Sequence, residues 1–337
     1  DDGVAIQAAI TAAEASLTAN IGYYVDGASM PVVDLAGGVY GISETNKLTV
    51  GDRIRFQNGT LNAVGTWTSL SVLTCSAESD GAVLDGINID GGIATDGLDG
   101  EASYGIVSRG DGNVIQNCRI THFQTSGIRL YSGNSQVISN CIIAKWRGTD
   151  TNYALAASRT GSGILLEASS DHNRIMNCTI VDCGKSLEIQ SGSSINMFYG
   201  CRFWSNGITT PVGGEGQVDV SHTRNYFTNC YFDGVRVTIA NNKHNNNFTG
   251  CYFFDVQETE AIYIDTTATA DTVDGLVVMG CLFDSGYTAA ITFNGSGTYA
   301  DDIDKNIQWV SNYDENGAIV WYDAKFGAGN IISNGKF

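Results

Sequence analysis

A six-residue phrase recurs along the chain, always in the order apolar, variable, Asn or Gly, Cys, variable, Ile or Phe. Its copies read IQNCRI ending at Ile120, ISNCII at Ile143, IMNCTI at Ile180, FYGCRF at Phe203, FTNCYF at Phe232, FTGCYF at Phe253 and VMGCLF at Phe283. They take up all of the 9 cysteines except Cys75 and Cys183, for which the phrase offers no place. Successive cysteines lie 23, 37, 23, 29, 21 and 30 residues apart. Units of this size cannot each bury an apolar face alone, so they must stack, with loops of variable length inserted between them. VLDGIN reads as an earlier degenerate copy with Gly86 in the cysteine slot, and IQWVSN, from Ile307, as a late copy that has drifted.

Between the cysteine phrases lies a second one with period-2 alternation: SGIRLYS from 126, SGILLEA from 162, KSLEIQS from 185, GQVDVSH from 216, AIYIDTT from 261, AAITFNG from 289 and GAIVWYD from 317. Alternation of this kind specifies strands. The early copies lead into polar turns (SGNS, SSDHN, SGSSIN) before the next cysteine phrase. No helical pattern intervenes, and Asn or Gly stands before each repeated cysteine, where a single left-handed residue can turn the chain. The sequence therefore predicts an all-β fold, a right-handed parallel β-helix whose coils stack about 4.8 Å apart and align like residues into ladders. The repeated cysteines fall in an interior column and act there as small hydrophobes. Nothing spaced like C-x₂-C offers a metal site, and an odd number of cysteines argues against a disulfide framework.

The first 20 residues differ. Asp1 and Asp2 can cap a helix on which Ile6, Ala9, Ile10, Ala13 and Leu17 share a face. Residues 1–20 are thus expected to cover the open end of a β-helix formed by residues 21–337, which fray at both ends. The formal charge of −18 and pI near 4.4 leave no electrostatic footprint for nucleic acid or anionic membrane, and no run of 18 apolar residues could span a bilayer. An acidic N-terminus is unlike a signal peptide, and the protein is expected to be soluble.

The opening DDGVAIQAAITAA, the AGGVYGIS of residues 36–43 and coils with Asn-Cys corners resemble the pectate-lyase-like right-handed β-helix superfamily, with bacteriophage tailspike depolymerases the nearest in look. The resemblance runs over nearly the whole chain and is architectural. It implies a homotrimeric enzyme, carried on a virion tail or extracellular, that cleaves a bacterial surface polysaccharide. Tailspikes carry a particle-binding segment before the helix and a trimerisation module after the last coil, so the chain is expected to be a piece of such a protein. The NTD, DD and RIK set of polygalacturonases, the vWiDH-like segment of pectate lyases and the YG-x-DPH motif of epimerases are absent. His222, in DVSHTRN, only echoes the polygalacturonase SHG, so no catalytic residue carries over by motif.

Candidate chemistry is instead read from the ladders. With Ile128/Leu130, Ile164/Leu166, Leu187/Ile189, Val218/Val220, Ile262/Ile264 and Ile291/Phe293 inward, the outward columns run Arg129, Leu165, Glu188, Asp219, Thr238, Tyr263, Thr292 and Tyr131, Glu167, Gln190, Ser221, Ala240, Asp265, Asn294. Glu167, Glu188 and Asp219 then stand on consecutive coils, about 5 to 10 Å apart, a spacing that serves a retaining or an inverting glycosidase. Stacked like charges are expected to raise one of their pKa values and so create a general acid. The plainer reading is a solvated sheet face in an acidic chain.

Arg129 and Tyr131 flank the carboxylates. Insertions at residues 90–104, 146–161 and 205–216 are expected to wall a groove, bringing Trp146, Arg147, Tyr153, Arg159 and Trp204 toward a sugar, though loop packing explains any one ring equally well. His222 is the histidine nearest in sequence to the carboxylates; His172 and His244 occupy similar turns, and polar turn residues need no chemistry. No cofactor is required. Asp90, Asp96, Asp99 and Glu101 offer hard oxygens to Ca²⁺ but lack EF-hand spacing, so a solvated acidic loop is the simpler account. These residues fit an endo-acting glycoside hydrolase, a Ca²⁺- or base-dependent polysaccharide lyase, or a non-catalytic glycan-binding adhesin.

Overall fold

The computed structural model describes residues 2–18, 30–68, 70–77, 79–92, 102–145, 161–205, 217–240, 243–254, 260–265, 275–284, 289–294, 308–314 and 331–333. It is a parallel β-helix. Each complete coil contributes one strand to a ten-stranded sheet, running from Leu48–Val50 to Ala289–Asn294, and two short strands to a second, longer sheet. Every strand pairs in parallel with its counterpart one coil away, so that Ile138, for example, lies between Ile115 and Ile175.

The cysteine phrase supplies the two short strands and the bend between them. In the coil of Val114–Gln116 and Arg119–Thr121, Asn117 turns the chain at φ 55°. Asn140, Asn177, Gly200, Asn229, Gly250 and Gly280 repeat the turn at φ between 51° and 62°. Only Gly, and at modest cost Asn, adopts this conformation readily, which explains why the slot holds nothing else in these coils. The following cysteine points inward, and all nine thiols are free and buried. Each repeated thiol lies against backbone carbonyls, Cys201 Sγ reaching Ile175 O of the preceding coil at 3.4 Å. Cys75 closes the strand Ser71–Cys75 and is buried like Cys183.

Both degenerate copies of the phrase keep their frame. Register with Val114–Gln116 gives Gly86 the left-handed turn, at φ 63°, and Ile87 the buried cysteine place, one residue from the slot the sequence suggested. In the late copy Trp309 fills the apolar place, Ser311 turns at φ 54° and Asn312 stands in for cysteine, its Oδ1 accepting from Cys281 N at 2.8 Å.

Flanking the thiols are two apolar columns that change from Ile to Phe along the axis. Phe198, Phe227 and Phe248 stack with centroids 4.6 and 4.8 Å apart, and Phe203, Phe232, Phe253 and Phe283 form a parallel stack that ends on Trp309. Ring stacking at the coil spacing satisfies the preference for offset parallel rings. Five residues before the repeated cysteines, as far as Cys251, runs a polar ladder that the sequence reading passed over. Asn173 N and Nδ2 donate to Asn196 Oδ1, Asn196 N and Nδ2 to Asn225 Oδ1, and Asn225 N to Asn246 Oδ1, all within 3.0 to 3.3 Å and all buried.

Helix α1 (Gly3–Thr18) lies across the first coil and sinks Ile6 and Ile10 into the core, with Ala13 packed against it. Gln7 accepts from Thr49 N and donates to Thr49 O, so a side-chain amide pairs the edge that an uncovered strand would expose. Two details differ from expectation. Asp2 precedes the helix, but its carboxylate accepts from Gly41 N and ties the helix to the sheet instead of capping it. Ala9 faces solvent, because the buried stripe is centred on Gly3, Ile6 and Ile10. Asp1 and the side chain of Leu17 lie outside the described residues.

Candidate functional site

The ten-stranded sheet carries the outward columns in the predicted register. Tyr131 pairs with Glu167, Arg129 with Leu165, Leu165 with Glu188, Glu188 with Asp219, and Asp219 with Thr238. Inward, Ile128, Leu130, Ile164, Leu166, Leu187, Ile189, Val218 and Val220 are all buried, so their partners in the alternation have nowhere to go but out.

What the alternation did not place is Lys185. Its Nζ lies 3.0 Å from Glu188 Oε1 and 2.9 Å from Asp219 Oδ2, bridging the two carboxylates. Glu188 also accepts from Ser162 Oγ at 2.7 Å and from Gln190 Nε2 at 3.2 Å. Burial pushes the Glu188 carboxyl up, but Ser162, Lys185 and Gln190 together outweigh it and hold it below the ordinary carboxylate range. Of the three stacked carboxylates, Glu188 is therefore not the one expected to be raised: the cation beside it offsets the repulsion of its neighbour. Lys185 responds in kind. Burial lowers its pKa, but Asp219 and then Glu188 more than reverse that, and it remains a cation.

The polar row continues in both directions. Arg129 donates to Glu167 Oε1 from Nε at 2.6 Å and also from Nη2, so this carboxylate is held by a guanidinium and not by its acidic neighbours. The Arg129 guanidinium lies between the rings of Tyr104 and Tyr131, at 4.8 and 4.6 Å, and Arg109 covers Tyr131 at 4.9 Å. On the other side the Gln217 amide donates to Asp219 Oδ1 at 3.1 Å and accepts from Arg236 Nη2 at 2.7 Å. Arg236 in turn faces Glu260 at 3.5 Å and lies over the Tyr263 ring at 4.8 Å. Acids, bases and tyrosines thus alternate along one sheet face.

His222 lies apart from this row, beyond the end of strand Gln217–Val220, where Lys243 and Asp171 are the charges that act on it. Burial, then the Lys243 charge, lowers its pKa, and its Nδ1 is buried with no hydrogen-bond partner among the described residues. Trp204 is half-buried under the Arg202 guanidinium, 5.0 Å away, on a facet other than the carboxylate sheet. Trp146, Arg147, Tyr153 and Arg159 fall outside the described residues, as do 93–101, 146–160 and 206–216, the bulk of the three insertions. Asp90, at the root of the first insertion, receives the His122 ring at 2.9 Å, while Asp96, Asp99 and Glu101 lie outside the described residues. Among the described residues no three His, Cys, Asp or Glu side chains group as metal ligands.

Fold and face together define a parallel β-helix protein with a carboxylate-bearing polar site along one sheet. Residues 75–221 match the family described as the right handed beta helix region. No curated protein matches the chain in sequence. Solved structures do. ORF18 of Geobacillus virus E2 superposes with a TM-score of 0.61 at 15% identity over 94% of this chain and 59% of that one, so the chain spans about three fifths of the virus protein. The A-module of the mannuronan C-5 epimerase AlgE4 of Azotobacter vinelandii gives 0.59 at 12% identity, covering 99% of this chain and 96% of the module. The endo-xylogalacturonan hydrolase of Aspergillus tubingensis gives 0.54 at 13%, covering 90% and 92%. The chain is a right-handed parallel β-helix protein, as its resemblance to the pectate-lyase-like superfamily implied. At these identities the likeness is one of fold.

Proposed function

We propose that the protein is a polysaccharide-acting enzyme, an endo-acting glycoside hydrolase whose substrate lies along the ten-stranded sheet. The observation that carries this reading is the pairing of Glu188 with Asp219 on adjacent strands. Both touch one ammonium, at 3.0 and 2.9 Å, so the two oxygens are less than about 6 Å apart, a range that includes the roughly 5 to 5.5 Å of retaining pairs. Glu188, held ionised, is the nucleophile: its oxygen bonds the anomeric carbon as the glycosidic C–O bond breaks. Asp219, in the fraction of molecules that carry it protonated, gives that proton to the departing oxygen and then takes one from the water that releases the sugar. Glu167 is the alternative proton donor, and Arg129 and Tyr131 orient the substrate.

Neighbours on this fold include an enzyme named as a polysaccharide hydrolase and a virus protein, which supports a glycan substrate and, less directly, a tailspike-like homotrimer on a virion or outside the cell. Among the described residues no helix is long and apolar enough to cross a membrane. Elimination is a second reading, favoured by Lys185. Lys185 supplies the positive charge that elimination needs beside a uronate carboxylate, although Glu188 and Asp219 already pair with it.

Mass spectrometry of products from a panel of bacterial and algal polysaccharides separates the readings. Fragments heavier by one water are expected. Unsaturated fragments would replace hydrolysis by elimination, and binding without fragments would leave a glycan-binding adhesin. With a cleaved substrate in hand, Glu188→Gln should lower turnover about 10²- to 10⁴-fold with unchanged circular dichroism; full activity in the folded variant removes Glu188 from the mechanism.

A further inference from the structure

Charge is not balanced evenly along the ten-stranded sheet. Arg129 is held by Glu167, Arg236 by Glu260, and Lys185 by Glu188 and Asp219. Arg109 is the exception. It follows strand Tyr104–Ser108 and continues the outward column of Tyr131 and Glu167, its guanidinium 4.9 Å from the Tyr131 ring. Among the described residues no carboxylate pairs with it, and its Nε is buried without a hydrogen-bond partner. Arg129 lies over the same ring at 4.6 Å, so two guanidinium groups share one carboxylate, Glu167, and one positive charge is left over. Further along, the sign reverses. Glu188 and Asp219 have only Lys185 between them, which leaves one negative charge. Through Tyr131 and Glu167, Arg109 stands three strands before Glu188, about 14 Å away at the ordinary strand spacing.

An uncompensated guanidinium is informative here, because the chain has 36 acidic side chains for 18 basic ones and carboxylates to pair it are plentiful. Its planar fork of donors matches the oxygens of a carboxylate, sulfate or phosphate, and such charge-assisted bonds are stronger than neutral ones. The Tyr131 ring steadies the group by cation–π attraction without consuming its donors. The surplus at Glu188 and Asp219 repels the same kind of anion. A glycan lying along the sheet therefore meets attraction for a negative substituent at one end and repulsion at the centre.

We infer that Arg109 is a specificity-determining residue that binds an anionic substituent on a sugar about three residues from the bond cleaved. Sugars in an extended chain are about as long as one strand spacing, which sets that count. The substrate class is then a heteropolysaccharide with isolated acidic sugars, not a polyuronate charged at every residue. This rests on the reading of the sheet as a polysaccharide site and narrows it to one kind of polysaccharide.

The test uses three sets of polymers with the full chain. The first is a panel of bacterial capsular and extracellular polysaccharides with one acidic sugar per repeat, xanthan and gellan among them. The second is the same panel with the acidic group removed, by carboxyl reduction for a uronate and by ester hydrolysis for a sulfate or phosphate. Alginate and polygalacturonate form the third. Binding is measured by isothermal titration calorimetry and cleavage by release of reducing ends. Removing the acidic group should weaken binding about 10-fold, the worth of one charge-assisted bond. Arg109→Gln should lose about as much on the native polymer and far less on the stripped one, while Arg109→Lys, which keeps the charge, should lose less than Arg109→Gln. A variant that weakens both polymers equally overturns the inference. So does a parent that binds stripped or fully charged polymers as tightly as the native one, or binds none of the acidic panel. Cleavage keeps the two readings apart: the expected binding pattern with no reducing ends released removes the enzyme and leaves Arg109 in its role, whereas cleavage that is blind to the acidic group does the reverse.

Discussion

Lys185 decides the electrostatics of the carboxylate site. The sequence hid it for a physical reason: alternation from Leu187 and Ile189 assigns position 185 to the interior. The register slips between Lys185 and Leu187 against the next strand, and the side chain escapes to the surface. Glu188 and Asp219 were legible because they lie within the regular alternation, whereas their partners Ser162, Lys185 and Gln217 stand at strand starts. The sign of the pH dependence follows. Glu188 is held below its ordinary value, so its contribution to stability is complete above that value and fades as pH falls through the lowered one. Lys185 is raised, so its contribution is complete below its ordinary value and fades as pH climbs through the raised one. Lys185→Met should therefore cost about 1 kcal/mol at pH 7, a modest figure because the side chain is 36% exposed. The deficit should shrink below about pH 5 as protonation relieves the facing carboxylates. Urea unfolding of both proteins at pH 4, 7 and 9 measures this, and a deficit that grows on acidification contradicts the bridge.

At the level of the coil, two ladders hold the bends. The left-handed Asn or Gly and the following cysteine were legible because they stand at a fixed offset from each other. The interior Asn ladder keeps an equally fixed offset, five residues before the cysteine, and a longer phrase would have revealed it. Its amides join successive coils through bonds that a single strand cannot make. Asn225→Ala leaves the N and Nδ2 of buried Asn196 without their shared acceptor, and should lower stability by about 2 to 4 kcal/mol. Thermal denaturation checks this, and a loss below 0.5 kcal/mol would mean that neighbouring groups take over the acceptor's role. The ten-stranded sheet has its own constraint at Gly105, Gly127 and Gly163. A Cβ on Gly163 would stand 2.8 Å from Ser186 O and collide with Ile180, so these three strand starts are held free of side chain.

Over the whole molecule, periodicity made the fold legible, and lack of periodicity left the insertions without a structural reading. Columns of Ile, Phe and Cys repeat because each coil must present the same shape to the next. Insertions obey no such rule, and Trp146, Tyr153 and Arg159, assigned to sugar binding from the sequence, belong to them. The thiol column gives the molecule an internal record of its own opening. All nine thiols are buried, so a folded coil denies an alkylating reagent access to them, and burial also pushes Cys75 and Cys183 up to about 12. Pulse alkylation during urea unfolding, followed by peptide mapping, should label cysteines in the order in which their coils separate, with terminal coils ahead of the middle ones; simultaneous labelling would mean that the solenoid opens as one unit. The same arrangement makes the native state indifferent to oxidants while the opened chain is exposed to them. Once the column is dispersed under oxidising conditions, cross-links between coils that never touch can form, and the route back to the folded state closes.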